Sequence, residues 1–88
     1  MIRVMLADDQ AMVRGALAAL LALETDIEVV AQVGNGDDVL PVALEQRPDV
    51  VLMDVDMPGT DGLRATASLL ERLPATRVLI VTTFGRPG

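Results

Sequence analysis

Two of the four apolar runs in this chain end in acidic residues: Arg3-Val4-Met5-Leu6-Ala7 leads into Asp8-Asp9, and Val50-Val51-Leu52-Met53 leads into Asp54. Segments with helical spacing separate the runs. That alternation predicts crossover units, in which parallel strands form a sheet flanked by helices. In a parallel sheet every strand delivers its carboxyl end to one edge, and side chains from adjacent strands converge on a crevice there. Three carboxylates brought together in this way call for a cation. The chain contains no His and no Cys, so the available ligands are hard oxygens, the expected ion is Mg²⁺, and the expected chemistry involves a phosphoryl group.

Along the chain, Val13, Leu17, Leu20 and Leu21 fall at i, i+4, i+7 and i+8, one face of a helix reaching about Leu23. Glu24 to Asp26 turn the chain, and Ile27–Val33 reads as a second strand. Gly34-Asn35-Gly36 is a turn cluster without the glycine spacing of a phosphate cradle, and no function is assigned to it. A helix is expected over residues 37–47, stopped by Pro48, with Pro41 tolerable only within its first turn. The third strand covers residues 50–53. The loop after it, Asp54-Val55-Asp56-Met57-Pro58-Gly59-Thr60-Asp61-Gly62, is rich in turn formers, and Asp61 or Thr60 can cap the next helix. Leu63, Ala67 and Leu70 mark the expected buried face of that helix, and residues 77–82 form a fourth strand.

Residues 1–88 are expected to form one small domain. Hydrophobic residues make up 51% of the chain and aromatics 1%, so the core must be built from aliphatic and methionine side chains, with Phe84 the sole ring. Phe84 is read as a packing residue, with an exposed interface ring as the alternative. A net charge of −6 without a basic patch disfavours direct nucleic-acid binding. All seven basic residues are Arg, so no lysine ammonium is present for any role. The absence of Cys excludes disulfides and thiolate metal sites. The longest apolar stretch, residues 16–23, is too short to span a bilayer, and residues 1–7 run into Asp8 before they resemble a signal peptide. A soluble cytoplasmic protein without membrane contact is expected.

Each acidic residue also has a plainer reading. Asp8 and Asp9 can simply cap the first helix, and Asp54 and Asp56 can be solvated loop residues. Thr82 carries no information alone. A shared site explains why acids stand at two strand ends and a hydroxyl at a third.

Taken together, Asp8-Asp9, the segment from Leu52 to Gly62, and Val81-Thr82 resemble the receiver domain of bacterial two-component response regulators. Residues 2–13 and 79–84 are most similar to regulators whose receiver precedes a LuxR-type helix-turn-helix DNA-binding domain. The resemblance implies an α/β, flavodoxin-like (CheY-like) three-layer sandwich with a parallel sheet of order 2-1-3-4. It implies that Asp54 is the phosphoacceptor, taking a phosphoryl group from a sensor histidine kinase. It also implies that Asp9, Asp54 and the backbone carbonyl of Asp56 bind Mg²⁺, that Asp8 assists through water, and that Thr82 hydrogen-bonds a phosphoryl oxygen and acts as the switch.

A complete receiver continues with a helix, a fifth strand bearing a lysine, and a final helix. The expectation is therefore a truncated receiver spanning residues 1–88. Its transcriptional effector domain lies elsewhere, and its exposed fourth-strand edge makes it self-associate. No enzymatic activity is expected beyond self-phosphorylation and self-dephosphorylation. Two rivals remain open. One is an inactive structural fragment. The other is a phosphatase of the haloacid dehalogenase type, suggested by Asp54-Val55-Asp56 but opposed by the displaced Gly-Thr pair, the missing lysine and the lack of a second acidic motif.

Overall fold

Val, Ile and Leu dominate the four apolar runs, and β-branched side chains favour the extended backbone on which they pack. The computed structural model, which describes residues 1–81, places all four runs in strands. These are β1 Ile2–Ala7, β2 Ile27–Val33, β3 Val50–Asp54 and β4 Arg77–Val81. The helices between them are α1 Ala11–Leu21, α2 Val39–Gln46 and α3 Gly62–Arg72, and a single 3₁₀ turn at Gly36–Asp38 precedes α2. The strands form one parallel sheet of order β2-β1-β3-β4, the order expected. Thr82 and Phe84 lie outside the described residues.

The change of direction after β2 decides where the helices go. The chain moves outward from β1 to β2 and then back past β1 to β3 and β4. Right-handed crossovers therefore put α1 on one face of the sheet and α2 with α3 on the other. Met5, Ala7, Val51 and Met53 point to the α2/α3 face and join Val39, Ala43, Ala65, Leu69 and Leu73 in one buried cluster. Val4 and Leu6 alternate with them along β1 and are buried beneath the other face, at 5% and 1% exposure. The register between β1 and β2 slips by one residue, since Val4 pairs with Val29 but Met5 with Ala31.

Pro41 is the third residue of α2, within the first turn, where its missing N–H has no helical partner to lose. Arg47 ends α2 in the left-handed conformation at φ 48°, and Pro48 then blocks continuation. No helix among the described residues is long and apolar enough to cross a membrane.

Two helical faces differ from the sequence expectation. In α3 the buried residues are Gly62, Ala65 and Leu69, whereas Leu63 and Leu70 are exposed and Ala67 faces solvent. Both stripes have helical spacing. The close seating of Gly62 on β3 selects the one actually buried, because a Cβ on Gly62 would overlap the Asp54 carbonyl. In α1 no residue is fully buried, and Leu20, expected inside, is 62% exposed. Val13, Leu17 and Leu21 are half-buried on the sheet side, and the helix ends at Leu21 rather than Leu23.

Candidate functional site

The pairing register of the two central strands brings the acids together. Ala7 pairs with Met53, and the next residue on each strand is acidic, Asp8 on one and Asp54 on the other. Both are buried, at 4% and 2% exposure, while Asp9 is exposed. One carboxylate oxygen from each of Asp8, Asp9 and Asp54 lies within 4.8 Å of the others. At that spacing a pair of like charges repels by roughly 1 kcal/mol in bulk water and about 3 kcal/mol at an effective dielectric of 20. The fold must hold such a cluster in place, and a divalent cation would relieve it.

The β1–α1 segment is fastened at several points. The Asp8 N–H donates to the Val33 carbonyl at 3.1 Å, which ties the end of β1 to β2. Asp8 Oδ1 accepts from the Gln10 N–H at 2.9 Å, a local turn of the kind aspartate favours. The guanidinium of Arg14, on the first turns of α1, donates through Nη1 to the Asp8 carbonyl at 2.6 Å. A charged donor makes this bond stronger than a neutral one. Arg14 Nε is buried and has no hydrogen-bond partner among the described residues. Sequence reasoning passed over Arg14, since one arginine on a helix carries no spacing signal.

The β3–α3 loop is held as firmly. Asp54 Oδ1 accepts from the Asp56 N–H at 3.3 Å, and the Gly62 N–H donates to the Val55 carbonyl at 3.0 Å, so the loop folds back on the strand it leaves. Asp61 caps α3, its side chain accepting from the Arg64 N–H at 2.9 Å. Thr60, the other cap candidate, bonds instead to Asp37 across the β2–α2 turn, at 2.8 Å from its hydroxyl and 3.1 Å from its N–H. The sequence held no sign of this pairing either.

Of the site residues expected from sequence, Asp8, Asp9 and Asp54 therefore come together. The Asp56 side chain is exposed and is not a member of the carboxylate cluster. Thr82 follows β4, beyond the described residues. The donor set is all oxygen and includes three acidic groups, which suits a small hard cation and not a thiolate- or imidazole-bound metal.

Comparison with known proteins places this geometry in a family. Residues 4–87 match the family model described as the response regulator receiver domain. Over 88 residues the chain is 44% identical to the uncharacterized transcriptional regulatory protein YvfU of Bacillus subtilis, covering all of this chain and 44% of that protein. It is 43% identical to the transcriptional regulatory protein DesR of the same organism, again over the whole chain and 43% of the relative. Among solved structures, a LuxR-family DNA-binding response regulator from Staphylococcus aureus superposes with a TM-score of 0.88 at 39% identity, covering 100% of this chain and 73% of that one. The chain thus spans less than half the length of these curated relatives. It belongs to the response regulator receiver domain family, a signalling family, and its sequence relatives are transcriptional regulators.

Proposed function

We propose that Asp54 is the phosphoacceptor of this receiver domain, taking a phosphoryl group from a sensor histidine kinase. In this reaction an Asp54 carboxylate oxygen attacks the phosphohistidine phosphorus. The P–N bond breaks, an O–P bond forms, and an acyl phosphate results while the histidine leaves with the N–P electron pair. Burial of Asp54 at a strand end, beside two further carboxylates, is the observation that carries the reading. Its place directly after Met53 on β3 fixes the nucleophile on a rigid element, and the Asp56 N–H on Oδ1 orients the carboxylate.

The three carboxylates fit a divalent cation, which we take to be Mg²⁺, held by Asp9 and Asp54 with the Asp56 carbonyl and with Asp8 in support. When bound, it would offset the repulsion between an anionic nucleophile and an anionic phosphoryl group. Thr82 would hydrogen-bond the transferred group and report its presence to β4. The effector that reads this state, a DNA-binding domain in the regulators this chain is similar to, would act outside the present segment. Any turnover is limited to self-phosphorylation and loss of the acyl phosphate, and the setting is cytoplasmic.

Self-association is part of the same reading. Among the described residues β4 pairs only with β3, and it exposes Leu79 and Ile80 by 57% and 44%. An open apolar edge of this kind favours a second copy as partner.

The decisive experiment is phosphoryl transfer from a small-molecule donor such as acetyl phosphate, followed by intact mass. The chain is expected to gain one acid-labile phosphoryl group in the presence of Mg²⁺ and none as Asp54→Asn. Equal labelling of the Asp54→Asn variant would discard the assignment. Failure of the unaltered chain to label at all would favour an inert fragment instead.

A further inference from the structure

The β2–α2 turn and the β3–α3 loop are interlocked by residues that are not members of the carboxylate cluster. Gly36, in the turn, donates its N–H to the Pro58 carbonyl at 3.0 Å. Its α-carbon sits so close to the loop that a Cβ there would overlap the Thr60 carbonyl oxygen. The neighbouring Asp37 accepts two hydrogen bonds in one carboxylate oxygen, from the Thr60 hydroxyl at 2.8 Å and the Thr60 N–H at 3.1 Å. Asn35 closes the turn from behind. It accepts from the Asp38 N–H through Oδ1 at 2.9 Å and donates through Nδ2 to the Asp38 carboxylate at 2.9 Å. A turn with no assigned function therefore grips the loop at positions 58 and 60.

Asp56 lies between that grip and the strand. On one side the loop is pinned by the Gly62 N–H on the Val55 carbonyl, and on the other by Pro58 and Thr60 on the turn. The four residues from 55 to 58 have little freedom left, so the direction of the Asp56 peptide follows from where Thr60 is held. We propose that the Asp37–Thr60 pair positions the Asp56 carbonyl for Mg²⁺, so that a contact outside the metal site sets its affinity. The inference rests on the metal site proposed above. Neither residue touches the ion: both are positioning residues, acting through the loop backbone.

The contact is solvent-exposed, and an exposed hydrogen bond adds little to global stability. A positioning bond behind a metal ligand, by contrast, alters affinity severalfold or more when lost. That contrast separates the two roles. Isothermal titration of the 88-residue chain with Mg²⁺ would be run on Thr60→Val, Thr60→Ser, Asp37→Ala and Asp37→Asn, with the thermal midpoint of each variant measured alongside. Thr60→Val and Asp37→Ala are expected to weaken Mg²⁺ about tenfold with little movement of the midpoint. Thr60→Ser keeps the hydroxyl and Asp37→Asn keeps an acceptor without the charge, so both should retain most of the affinity. Combining Thr60→Val with Asp37→Ala should cost little more than Asp37→Ala alone, because Asp37→Ala already removes the acceptor of the Thr60 hydroxyl.

Parental affinity in Thr60→Val and Asp37→Ala would overturn the inference and leave the metal site standing. Weakening in Asp37→Asn equal to that in Asp37→Ala, with Thr60→Val unaffected, would overturn it in favour of simple charge attraction. If the unaltered chain took up no Mg²⁺, the metal reading and the inference would fall together.

Discussion

The two faces of the sheet are built to different standards. On one, α2 and α3 close over Met5, Val51 and Met53, and Val39, Ala43 and Leu69 are fully buried among them. On the other, α1 covers Val4 and Leu6 without burying any residue of its own, and Met12 and Leu20 are 89% and 62% exposed. Apolar content does not explain the difference, since α1 is the more hydrophobic helix and α3 carries more charged residues. What differs is company. Among the described residues, α2 and α3 pack on each other as well as on the sheet, while the main contacts of α1 are with β1 and β2. A helix that packs mainly on a sheet buries one narrow stripe.

The comparison can be broken most directly by cutting one side chain from each face. Leu69→Ala empties a fully enclosed site and is expected to cost about 2–5 kcal/mol in chemical denaturation. In a domain of this size that could leave the chain largely unfolded. Leu17→Ala, on the half-buried stripe of α1, should cost only about 1 kcal/mol, since solvent already reaches the site. Equal losses would mean that the α1 face is as well packed as the other. Assembly gives the smallest signal. Light scattering should show the weight-average mass rising above that of one chain only at high concentration, and Leu79→Lys should suppress the rise by placing a charge on the exposed strand. A constant single-chain mass at every concentration would remove the β4 edge from the list of contact surfaces.

Strand existence was legible because it depends on features that a linear pattern carries, whereas the strand order came with the resemblance to receiver domains. Residues 50–53 could hardly be anything but a buried strand, and acids at its end and at the end of residues 3–7 had to meet if the two strands were neighbours. The structure adds only that Ala7 and Met53 are in register. What stayed hidden required knowledge of a third body. The buried stripe of α3 could not be chosen from Leu63, Leu69 and Leu70 alone, because Gly62 against the Asp54 carbonyl sets the rotation of that helix. Asp37 and Thr60 stand 23 positions apart in separate loops, and no periodicity links loop residues. Arg14 reads as an ordinary helix-surface arginine until the chain reversal at Asp8 places a backbone carbonyl within its reach.

The all-parallel arrangement has a kinetic consequence. Ile2 pairs with Ile27, Val4 with Val50, and Val50 with Arg77, so among the described residues no ladder joins strands linked by a tight turn. Each must await a long chain closure, whose entropic cost precedes any reward from strand contact. The innermost ladder, β1 with β3, spans the greatest separation and is also the one that sets Asp8 beside Asp54. The ladder with the largest closure cost is therefore the one that crowds the acidic groups together, so the most self-repelling region of the domain also carries its greatest chain-entropy penalty.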